Sequence, residues 1–179
     1  MNLRDANKPW MSSGRAMYGT FAERYPMDLF SYTREAGYCL DDRRFLACIA
    51  MASTAVEIIL NHDRRLRGLP NFRSADGWTY LKNRTLQLAR DEGLPSNELL
   101  SPGDDLDSNK PISFVEIRNK VAHGEITHLV STLSDYDPAA QQIASEQYSK
   151  MRHFVSEWFN TAPDVQDGYI RNNQWPQSL

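Results

Sequence analysis

Between Asp41 and Arg67 the apolar residues Phe45, Cys48, Ile49, Ala52, Val56, Ile59 and Leu60 recur at spacings of three and four, the period of one helical face. No other stretch limits the fold as tightly. Asp41 or Asp42 offers an N-cap oxygen, and Gly68 with Pro70 supplies a stop. Because Ala47, Ala50, Met51 and Ala55 surround the stripe, the middle of this helix is apolar almost all round, as a central helix with neighbours on several sides must be. A narrow polar line remains: Ser53, Thr54, Glu57 and Asn61. One reading turns it toward a second subunit or a cleft, the other toward solvent.

The rest of the chain supplies partners for that helix. At 179 residues, with 41% apolar and 24% charged side chains, it has enough material for one well-buried core and too little for two. Residues 1–40 read as an irregular N-terminal arm with short helices, one of them from Met27 to Tyr38 stopping near Gly37. Residues 41–162 read as a helical bundle, and 163–179 as a flexible C-terminal tail. A third helix is predicted from an Asp76 cap through Trp78, Leu81, Leu88 and Ala89 to Gly93. A turn-rich acidic loop, Pro95 to Pro111, follows a single helical turn at Ser96 to Leu100. The next helix turns Phe114, Ile117 and Val121 inward and closes at Gly124. Asp137-Pro138 then opens a long amphipathic helix through Ala144, Gln147, Met151, Phe154 and Trp158, ended by Pro163. The expected fold is all-α, an up-and-down bundle of four to five main helices.

Charge is unevenly spread about a net of −3. From Arg64 to Arg90 there are seven basic residues against Asp76 alone; from Asp91 to Asp107 there are six acids and no base. Two readings stand: solvated helix ends beside an acidic loop, or a patch that tracks phosphates. Cys39 and Cys48 are the only cysteines, too few for a zinc set, and fit buried thiols in a reducing compartment. Met1 to Trp10 has no apolar leader, and no later run approaches the length needed to span a bilayer, so a cytoplasmic protein without membrane contact is expected.

The chemistry is concentrated in Arg118-Asn119-Lys120-Val121-Ala122-His123-Gly124. Asn119 and His123 stand at i and i+4 and share a helical face, while Arg118 lies about 100° round and needs its length to reach the same pocket. An anion fits between them. At a helix C-terminus the macrodipole favours a protonated imidazole, which places His123 well for a proton donor. The alternative is structural: Arg118 and Asn119 tie the helix to a neighbouring loop and His123 caps it.

This run resembles the Arg-x4-His motif of the HEPN superfamily, sharpened by the Asn after Arg and the Gly after His. The order of helices from Asp41 to Asn160 is also similar. The resemblance implies a metal-independent endoribonuclease working as a homodimer in a toxin or defence system, or a non-catalytic relative such as an antitoxin, an immunity protein or an RNA-binding accessory protein. It assigns catalysis to Arg118, Asn119 and His123 and implies RNA as partner with no metal or cofactor; beside it, Glu57 on the polar line, Lys120 and Glu125 stand as possible supporting residues read from this chain itself. One branch of the family carries Tyr two residues after the His. Here that position is Glu125, a carboxylate that can steady His123 or compete with phosphate for Arg118.

Overall fold

The computed structural model describes residues 27–66, 81–125 and 137–161, and every regular element among them is helical. The elements are α1 (Met27–Asp41), α2 (Phe45–Leu66), α3 (Asn83–Asp91), a 3-10 turn at Ser96–Leu99, α4 (Ser113–Ala122) and α5 (Pro138–Thr161). The fold is an all-α bundle. Asp76, Trp78, His128 and the predicted arm and tail segments at 1–26 and 163–179 lie outside the described residues.

α2 is the central element that its stripe predicts, with Ile49, Ala52, Ala55, Val56, Ile59 and Leu60 buried. α1, α5 and α4 all pack against it. Cys48 Sγ donates to the Ala144 carbonyl at 3.8 Å and Trp158 Nε1 donates to Asp63 Oδ1 at 3.1 Å, so α5 runs parallel to α2. α4 runs the other way: its Arg118 meets Glu57, while Val121 packs on the cluster of Cys39, Leu40, Phe45, Cys48 and Ile49 where α2 begins. A larger cluster around Leu60, Phe154 and Trp158 fills the rest of the core.

Several boundaries differ from the sequence expectation, each for a physical reason. α1 continues through Gly37 to Asp41 and belongs to the bundle, burying Ala36, Cys39 and Leu40. That burial outweighs the roughly 1 kcal/mol that a mid-helix glycine costs. Asp41 therefore closes α1, and α2 starts at Phe45 after a turn in which Arg44 N–H reaches the Cys39 carbonyl (2.7 Å) and Arg43 takes φ +60°. α3 begins at Asn83 rather than Asp76, because Lys82 is extended. Its end at Gly93, φ +89°, is as predicted. The expectation that no run is long enough to span a bilayer also needs correction. Phe45–Arg64 is long and apolar enough by length and composition, and the bundle covers much of that apolar surface.

Candidate functional site

The helix that carries the motif is positioned from both ends. Ile112 occupies its N-cap and offers no side-chain oxygen, so the capping acceptor comes from the preceding loop. Asp104 Oδ1 takes the Ser113 N–H at 3.0 Å and the Ser113 hydroxyl at 2.8 Å, and Oδ2 takes the Ser101 N–H at 2.8 Å. Burial raises the Asp104 carboxyl's pKa, but these hydrogen bonds and the charge of Lys150 outweigh it and hold the group below the usual carboxylate range. The loop is pinned in turn to α3. Asn83 Nδ2 donates to the Lys110 carbonyl at 2.6 Å, Asn83 Oδ1 accepts the Ile112 N–H at 2.9 Å, and Arg90 grips Asp107 at 3.0 Å.

At its other end α4 closes as a Schellman motif. Gly124 adopts φ +72°, its N–H reaches the Val121 carbonyl at 3.3 Å, and the Glu125 N–H reaches that of Lys120 at 2.8 Å. Buried Phe114 and Val115 set the rotation of the helix; Ile117 and Val121, predicted to lead the inward face, are only half-buried.

That rotation sends Arg118 toward α2. Its Nη2 donates to Glu57 Oε1 at 2.7 Å and its Nη1 to Asn119 Oδ1 at 3.2 Å. The ion pair is largely enclosed, with the Arg118 and Glu57 side chains 21% and 19% exposed. Glu57 also accepts the N–H of Leu81. Burial pushes the Glu57 carboxyl up, and the guanidinium and the Leu81 N–H only partly offset it. The polar line on α2 thus has mixed roles: Ser53 bonds back to the Ile49 carbonyl (2.8 Å), Thr54 to that of Ala50 (2.9 Å), and Glu57 crosses to α4.

His123 stands apart from this group. It is the C-cap residue of α4, with φ −95° and ψ 3°, its N–H bonded to the Asn119 carbonyl at 2.9 Å and its side chain exposed. Five helical steps separate it from Arg118, about 140° of rotation and roughly 7.5 Å of rise. The guanidinium therefore points to α2 while the imidazole meets solvent. Within one chain Arg118 and Asn119 are joined by a hydrogen bond, and the His123 side chain is exposed one turn beyond Asn119. Glu125 is exposed, and the carboxylate at Arg118 is that of Glu57. Lys120 pairs with Glu116 one turn back, at 2.6 Å.

The basic and acidic stretches partly neutralise one another. Among the described residues, Arg64 pairs with Glu92 at 2.6 Å and Arg90 with Asp107, which commits these two bases to acids of the neighbouring run. Among the described residues no group of three or more His, Cys, Asp or Glu is arranged to hold a metal ion. Sequence reasoning missed Asp104, Lys150 and Leu81. Asp104 caps a helix that starts nine residues later, a distance at which no local signature operates. No protein-family model, curated protein or solved structure matches this chain.

Proposed function

We propose that the protein is a metal-independent endoribonuclease of HEPN type, acting as a cytoplasmic homodimer in a toxin or defence system. The observation that carries this reading is the arrangement on α4: Arg118 held by Glu57 and Asn119, and His123 presented to solvent at the end of the same helix. Attack of an RNA 2′-hydroxyl on phosphorus needs a base for the nucleophile and an acid for the leaving 5′-oxygen. Each chain provides one suitable histidine. A twofold pair of α4 helices provides two, with two arginines to neutralise the pentacoordinate phosphorus. Asn119 keeps the guanidinium oriented, and the Arg118 N–H donors not used by Glu57 and Asn119 are the ones that meet phosphate oxygens.

Cleavage in the presence of EDTA, leaving a 2′,3′-cyclic phosphate and a 5′-hydroxyl with DNA left intact, is the expected result. Activity that disappears on chelation sinks the mechanism. His123→Ala should abolish cleavage and, where expression of the wild type slows cell growth, relieve that toxicity.

A second reading is favoured by one specific contact. The Glu57 carboxylate already neutralises Arg118, so a phosphate must share or displace it. In that reading the chain is a non-catalytic HEPN-like protein: an antitoxin, an immunity protein or an RNA-binding accessory protein. Wild-type protein that binds RNA or a cognate toxin with no cleavage under any ionic condition would put this reading first.

A further inference from the structure

The side chain of Asn83 gathers three exposed bases beside the Arg118 pair. Its Nδ2 donates to the Lys110 carbonyl at 2.6 Å and its Oδ1 accepts the Ile112 N–H at 2.9 Å, so Lys110 lies against the start of α3, where Lys82 and Arg84 are the chain neighbours of Asn83. All three side chains are exposed. The opening turn of α3 holds no acid, Arg84 donates to the neutral Gln87 amide at 3.4 Å, and among the described residues no carboxylate pairs with Arg84 or Lys110. The acids of the adjoining loop and of α4 are engaged elsewhere: Asp107 by Arg90, Asp105 by the Asp107 N–H, Asp104 by Ser101 and Ser113, and Glu116 by Lys120. This cluster is continuous with the motif. Leu81 gives its N–H to Glu57, the carboxylate that holds Arg118, and two residue steps, at most about 7 Å of chain, lead from there to Asn83.

We propose, resting on the endoribonuclease reading of Arg118, that Lys82, Arg84 and Lys110 form a phosphate track that holds an RNA strand alongside the Arg118 site. A phosphate at Arg118 shares the guanidinium with Glu57, and flanking phosphates that meet exposed ammonium and guanidinium groups add the affinity which that contact gives up. The chain as a whole carries a net charge of −3, so a polyanion is drawn by a local concentration of bases and not by the surface at large. Exposed lysine and arginine heads read backbone charge and not base edges. Binding along the track is therefore indifferent to sequence and weakened by salt.

The test uses the whole chain carrying His123→Ala, so that binding is read without cleavage, and follows the anisotropy of a fluorescently labelled single-stranded RNA oligonucleotide at several salt concentrations. Added to this parent, Lys82→Gln, Arg84→Gln and Lys110→Gln should each weaken binding several-fold. Each phosphate contact on a single strand contributes about 0.7 to the slope of log affinity against log salt, so the triple variant should lose about 2 from that slope. Arg34→Gln, at an exposed position on α1, should leave affinity and slope unchanged, and Lys110→Arg should keep both near the parent's. A triple variant that binds with the parent's affinity and slope overturns the track, as does an Arg34→Gln effect of equal size or a parent that binds no RNA. Binding through these residues to vesicles of phosphatidylserine and phosphatidylcholine, without binding to RNA, overturns it in favour of a lipid surface. The nuclease reading fails separately: wild-type protein that binds RNA through the three bases and never cleaves it keeps the track and loses the nuclease, whereas undiminished cleavage and binding in the triple variant keeps the nuclease and loses the track.

Discussion

At the scale of single residues, the Glu57–Arg118 pair decides how the motif behaves. Removing one partner of a largely enclosed pair strands the other, so Glu57→Ala should cost about 1–3 kcal/mol in denaturant unfolding. Glu57→Gln keeps an oxygen for Arg118 and should cost less. Burial of Glu57, only partly offset by Arg118 and the Leu81 N–H, sets a pH dependence. Because the folded-state pKa of Glu57 is raised, its contribution is fully present below its unfolded pKa and is lost as pH rises through the folded one. Glu57→Gln should flatten that fall in a plot of stability against pH, and an unchanged profile would mean that Glu57 is not desolvated as the packing requires. His123 differs, since its side chain is exposed at a helix end: His123→Ala should change stability by about 1 kcal/mol or less while removing activity. A large drop in melting temperature would instead mark His123 as structural. Arg43 holds φ +60° at a position that favours glycine, so β-branched Arg43→Val should destabilise by about 1–2 kcal/mol in the same assay, with Arg43→Gly tolerated.

At the scale of elements, α4 depends on a cap lent by a loop. Asp104→Ala leaves the Ser113 N–H without its acceptor and should cost about 1–2 kcal/mol of stability, with exchange quickening first in the opening turn of α4. The pH sign here is opposite to that of Glu57. The Asp104 carboxyl is depressed in the fold, so its contribution is present above the unfolded pKa and is lost as pH falls through the folded one; Asp104→Ala should lessen acid sensitivity. Elements of this kind mark where sequence reading works. The α2 stripe, the Gly93 and Gly124 stops and the Asp137-Pro138 start are local patterns, and all are found where they were expected. The extent of α1 was not legible, since Gly37 reads as a stop and only burial of Ala36, Cys39 and Leu40 carries the helix past it. The Asp104 cap and the Glu57–Arg118 pair join residues far apart in sequence, and the polar line on α2 gave only a partial hint of the second.

At the scale of the whole molecule, the divergence of Arg118 and His123 makes the proposed chemistry a property of two chains. One chain sends the guanidinium to α2 and the imidazole outward, and in the proposed mechanism a second α4 supplies the other proton-transfer partner. A dimer should therefore be seen by light scattering at micromolar concentration, and a strict monomer there removes the shared-site mechanism while leaving the fold untouched. Subunit mixing puts the same idea to a sharper test. If both histidines are needed at one site, a dimer containing a single His123→Ala chain is inactive. Unfolding wild type with an equal amount of His123→Ala and refolding them together leaves only about a quarter of the dimers fully wild type. Activity per wild-type chain should then fall to about half. Sites complete within one chain predict no loss per wild-type chain, and that outcome, with subunit exchange verified by a tagged copy, would refute the two-histidine site.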